Sequence, residues 1–112
     1  MQIRLGQIAF ARSGDKGAAA NIGVIAHTTA GYDFLLTHLT AEKVKNYFKS
    51  MGAGAVVRYE LPNLLALNFV VPDILDRGGS VSLRIDAQGK ALGQGILEMP
   101  LEIAREILDK CI

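Results

Sequence analysis

Near the N-terminus the chain reads Ala11-Arg12-Ser13-Gly14-Asp15-Lys16-Gly17-Ala18-Ala19-Ala20-Asn21-Ile22-Gly23, which sets two cations, a carboxylate, a hydroxyl and three glycines between apolar runs. No other stretch is so dense in chemistry. A glycine-punctuated loop can turn several backbone N–H groups toward one point, and added positive charge lets such a loop hold a phosphate or a carboxylate. Read this way, Arg12–Gly17 is a candidate anion site. Gly14 and Gly17 permit close backbone approach, Arg12 offers a planar two-donor contact, Lys16 a point charge, and Ser13 and Asp15 orient the loop. The plainer alternative is a hairpin connection with solvated charges. Such connections usually need only about two to five residues, and the polar and glycine run from Arg12 to Gly17 exceeds that. Asp15 is as suited to capping the turn as to acting as a base, and no second titratable group at a recognisable spacing fixes its ionisation. The pattern therefore assigns no catalytic residue.

Other polar residues sit in apolar surroundings. Asn21 and Asn68 adjoin or interrupt apolar runs, so each amide must find hydrogen-bond partners. Both serve as structural pins in the simplest reading; in the functional one Asn21 ties the anion loop to the sheet and Asn68 faces the same pocket from a neighbouring strand. His27 and His38, without cysteines or clustered carboxylates beside them, do not make a metal site. Arg58 and Glu60 alternate with apolar neighbours on the exposed face of a strand, where a cross-strand ion pair is the expectation; a substrate role for Arg58 would rest only on a family match.

Elements must place these groups. Gln2–Ala11 alternates as a first strand, with Gly6 marking a bulge or a close approach, and Ile22–Ala26 is a short buried strand. From Tyr32 to Met51 the apolar spacing becomes helical; Thr40 is an N-cap and the main helix spans Ala41–Ser50, stopped by Gly52 and Gly54. Val56–Leu61 and Leu64–Val71 form an antiparallel hairpin about Pro62-Asn63. Pro72–Gly79 is a connection whose Gly78-Gly79 could serve a lid, Ser80–Asp86 alternates as a strand, and Ala87-Gln88-Gly89 is a turn. Leu92, Ile96 and Met99 have helical spacing that Gly93 and Gly95 weaken; Met99–Ile103 suits an edge strand around Pro100, and the tail ends helical. Paired strands with helices after the second and around the last indicate α+β, a ferredoxin-like two-layer sandwich with a mostly antiparallel sheet and two or three helices.

Composition narrows the classes. A chain of 112 residues, half of it hydrophobic, can build one core, so residues 1–112 are expected to form a single domain. A net charge of +1, with acidic and basic residues interleaved, speaks against nucleic acid or anionic lipid as partners. The apolar runs fall far short of the roughly 20 residues of a membrane-spanning helix. Cys111 is the lone cysteine and no signal-like segment opens the chain, so a reduced, cytoplasmic setting is expected. No motif names a cofactor.

Ala11–Gly17 continuing through Asn21-Ile22-Gly23-Val24-Ile25-Ala26 resembles the small domain at the C-terminus of AtuA-like proteins, a family linked to acyclic terpene utilisation. Thr40–Val44, Arg58–Pro62, Leu67–Val70, Gly78-Gly79 and Leu83–Lys90 follow the same family's pattern in order, so the resemblance covers nearly the whole chain. Ala18-Ala19-Ala20 departs from it, being less polar than the corresponding residues of relatives. The resemblance implies a ferredoxin-like fold, found fused behind a larger domain or as a separate short protein, in bacterial catabolism of branched acyl compounds. It implies no established reaction.

Three readings of function follow. The first is an accessory or regulatory domain that associates with a larger AtuA-like partner, or with itself as a homo-oligomer, and contributes an anion-binding loop for an acyl or CoA-type ligand. The second is an independent enzyme of acyl or acyl-CoA metabolism using the Arg12–Gly17 loop, and the third a stand-alone small-molecule binding module. The first is preferred, because no general acid or base is positioned by a second group.

Overall fold

A computed structural model describes residues 1–16, 19–49, 54–72 and 92–112. The expected first strand divides into β1 (Gln2–Arg4) and β2 (Ala9–Lys16), with a 3-10 turn at Leu5–Gln7 between them. The physical reason is a tertiary contact at Gly6, whose N–H donates to the Leu97 carbonyl at 2.8 Å. A Cβ at Gly6 would stand 3.3 Å from the Leu97 Cβ, so a side chain there would have to push Leu97 back, and glycine lets the chains approach without that shift.

The larger correction concerns Arg12–Lys16, which is not a loop. It is the second half of β2 and pairs in antiparallel register with β3 (Ala19–Ala26), from Arg12 opposite Gly23 to Lys16 opposite Ala19. Extended backbone points successive N–H groups to opposite edges, so they cannot converge on one anion as a loop's would.

The hairpin about Pro62-Asn63 is present: β4 (Val57–Leu61) and β5 (Ala66–Val71) pair antiparallel through a 3-10 turn at Pro62–Leu64, and Leu65 closes it in the left-handed region with φ 53°. The order in the four-stranded sheet is β2-β3-β5-β4.

Two helices occupy the stretch read as largely helical. The first, α1 (Thr29–His38), begins earlier than its apolar pattern indicated, because the Thr28 hydroxyl accepts the Gly31 N–H at 2.9 Å. The second, α2 (Ala41–Tyr47), starts at the expected cap, where the Thr40 hydroxyl accepts the Lys43 N–H at 3.1 Å. It ends at Tyr47, with Phe48 as C-cap, short of the expected Ser50.

Residues 92–96 are helical and are called α3. Then β6 (Pro100–Glu102) pairs antiparallel with β1 as a separate two-stranded sheet, and α4 (Arg105–Cys111) ends the chain. Of the connection expected over Pro72–Gly79 all but Pro72, together with the expected strand Ser80–Asp86 and turn Ala87–Gly89, lies outside the described residues.

The fold is α+β, with antiparallel sheets and helices on one face of the larger sheet. Alternation decides which face is covered. In β3 the buried residues are Ala20, Ile22, Val24 and Ala26, and in β5 Leu67, Phe69 and Val71; these meet Leu35 and Leu39, Val44 and Phe48, and Ile96 in one core. Burying each large aliphatic or aromatic side chain contributes about 1.5–3 kcal/mol, so this face fixes the strand register.

Candidate functional site

The other face of the four-stranded sheet follows from register. Cross-strand partners share a face, and so do residues two apart on a strand. Phe10, Ile25, Ala66 and Leu61 therefore form one row across the sheet, Arg12, Gly23, Asn68 and Tyr59 the next, and Gly14, Asn21, Val70 and Val57 the third. No layer of described residues covers this face: Phe10 is 62% exposed, Tyr59 52%, and Leu64, at the hairpin turn beside it, 65%.

At its centre Gly23 leaves a gap. Arg12 stands on one side, Asn68 on the other, and Asn21 and Ile25 above and below along β3. These residues, with Gly14, Leu61, Leu64 and Ala66, line a cavity of about 350 Å³. This lies near the small end of ligand sites, room for a small organic acid rather than a nucleotide cofactor. Polar groups occupy one end and aliphatic side chains the other.

Of the sequence-predicted residues, Arg12, Gly14, Asn21 and Asn68 are brought together here. Arg12 is exposed and pairs with no carboxylate among the described residues. The Asn68 carbonyl oxygen faces the gap, 3.8 Å from where a Cβ on Gly23 would lie. The Asn21 Oδ1 is shielded from water and has no hydrogen-bond donor among the described residues.

Ser13 does something else as well. Although it borders the cavity, its hydroxyl accepts the Gly93 N–H at 2.7 Å and so ties α3 to β2 from the helix side. A Cβ on Gly93 would lie 2.9 Å from the Ser13 Oγ, so the contact needs glycine. Pinning Ser13 from beneath holds its neighbours Arg12 and Gly14 toward the open face. The side chains of Asp15 and Lys16, and Gly17 itself, lie outside the described residues.

Arg58 differs from its expected place. It is half-buried toward the helices, donates to the Leu36 and Leu39 carbonyls at 3.0 Å each, and meets Glu60 at 3.1 Å along its own strand rather than across strands. His27 packs against Phe10 at 4.3 Å and His38 against Phe34 at 4.2 Å between ring centroids, both pairs tilted. Among the described residues no three His, Cys, Asp or Glu side chains gather as metal ligands.

Sequence reasoning missed Gly23 as the floor of the site and Ile25, Leu61, Leu64 and Ala66 as its walls. Glycine amid β-branched residues was a usable signal for the first; the walls had none, since they meet only through strand order.

An antiparallel sheet with helices on one face and an open face centred on polar groups defines an α+β domain of the ferredoxin-like class. Residues 3–102 match the AtuA ferredoxin-like domain, and the chain belongs to that family. No curated protein and no solved structure matches it. No described helix is long and apolar enough to cross a membrane.

Proposed function

We propose that this protein is an accessory domain that presents its open sheet face to a larger AtuA-like partner, or to a second copy, and holds a small acyl carboxylate there. The observation that carries the reading is Arg12, a guanidinium without a carboxylate partner among the described residues, standing with the Asn21 and Asn68 amides around Gly23. A planar guanidinium binds a carboxylate through paired N–H donors, and the aliphatic rim of Ile25, Leu61 and Leu64 suits the acyl chain. Exposed Phe10, Val57 and Tyr59 around the site give the face a reason to associate. An acyl-CoA is accommodated by its acyl end, the cavity being too small for the nucleotide. On this reading the domain serves the handling of branched acyl compounds as a holder of the ligand, with the chemistry left to the partner.

The test is a thermal-shift series with short aliphatic carboxylates and acyl-CoA thioesters, alongside sedimentation velocity. A ligand bound only by the native state raises Tm. Hexanoate is expected to raise it, and Arg12→Ala to abolish the rise. An unchanged ligand response in Arg12→Ala would remove the basis of the proposal.

A further inference from the structure

Resting on the carboxylate reading above, a second feature of the site narrows the ligand. A carboxylate at neutral pH only accepts hydrogen bonds, whereas each asparagine amide brings a carbonyl acceptor together with its N–H donors. One such carbonyl stands at the site: the Asn68 oxygen faces the gap over Gly23 and makes no hydrogen bond among the described residues. A simple aliphatic acid seated in the gap displaces water from that oxygen and brings no donor to replace it, and an acceptor desolvated without a partner is costly. A ligand that supplies an O–H beside the carboxylate satisfies it.

We propose that the site selects hydroxy-substituted aliphatic carboxylates: the carboxylate on Arg12, the hydroxyl donating to the Asn68 carbonyl over Gly23, and the alkyl chain along Ile25, Leu61 and Leu64. Polar sites built to bond a hydroxyl discriminate against the analogue lacking it far better than apolar pockets discriminate by size. Gly23 makes the selection possible, since a side chain there would occupy the space the hydroxyl needs.

The test is isothermal titration of the whole chain with hexanoate and with β-hydroxyhexanoate. The hydroxy acid is expected to bind about tenfold more tightly or better, as one satisfied hydrogen bond of about 1.4 kcal/mol implies. In Asn68→Leu the two ligands are expected to bind equally, since the acceptor that distinguishes them is gone. Gly23→Ala, whose Cβ would meet nothing closer than 3.8 Å, should weaken the preference without lowering Tm, and it serves if the asparagine variant fails to fold. Equal binding of both acids by the unaltered protein, or a preference that survives these substitutions, overturns this inference and leaves the carboxylate site standing. Failure of both acids to bind overturns both readings.

Discussion

Arg58 shows how a single side chain's worth depends on where its partners lie. Its bonds to the Leu36 and Leu39 carbonyls cap the end of α1, because the last carbonyls of a helix lack partners within it. Hydrogen bonds made by a charged group to buried partners are worth about 1.5–3 kcal/mol, whereas an ion pair with an exposed carboxylate is worth about 0–1 kcal/mol. Glu60 is exposed, so the carbonyl contacts dominate. Arg58→Ala is expected to lower unfolding stability by about 2 kcal/mol and Glu60→Gln by less than about 1 kcal/mol, read from denaturant midpoints. A larger loss from Glu60→Gln than from Arg58→Ala would contradict this ordering.

At the scale of elements, close approach decides more than propensity. Two glycines within a short helical pattern weaken it on intrinsic preference, yet residues 92–96 are helical, with Leu92 and Ile96 buried in the core. Gly93 is there because β2 leaves no room for a side chain, and the Tyr47 hydroxyl fixes the same turn by donating to the Gly95 carbonyl at 2.7 Å. Overpacking such a contact typically costs about 1–3 kcal/mol. Gly93→Ala is therefore expected to destabilise the fold by about that amount, and, because it pushes on Ser13, to weaken the Arg12-dependent ligand response as well. Calorimetric unfolding and ligand titration on the same variant check both; loss of stability with ligand affinity intact would separate the helix from the site. Thr28 makes a comparable join, accepting from Gly31 and donating to the Lys110 carbonyl at 2.8 Å, so the start of α1 is tied to the end of α4.

For the whole molecule, the pH dependence of stability follows from its buried acids. Burial pushes the Cys111 thiol above its ordinary 9.0 and the Tyr32 phenol above its ordinary 10.0, the latter reinforced by the Glu60 carboxylate. Tyr47 is raised by burial and by Glu98. Each group is more readily ionised in the unfolded chain, which above these values binds fewer protons than the native state. Stability is therefore full below about pH 9 and falls as pH rises beyond it. Tm is expected to be insensitive to these groups near neutrality and to decline in alkali, with Cys111→Ala delaying the onset toward pH 10. A decline that starts at the same pH in the variant would show that other groups control it.

The sequence by itself determined the antiparallel hairpin around Pro62-Asn63, the Thr40 cap, the helical tail and the α+β class, because turn chemistry, capping and apolar period are local. It also marked Arg12, Gly14, Asn21 and Asn68 as residues that belong together. The family pattern reinforced that reading. What it misjudged, it misjudged for one reason: Arg12–Lys16, rich in charge and glycine, has the composition of a loop, and only pairing with Ala19–Gly23 makes it a strand. Likewise the break at Leu5–Gln7 and the inward turn of Arg58 are set by partners distant in the chain, Leu97 in one case and the end of α1 in the other. The cavity over Gly23 exists only once β3 lies between β2 and β5, since it is the tertiary pairing that sets a guanidinium and two amides around the one position without a side chain.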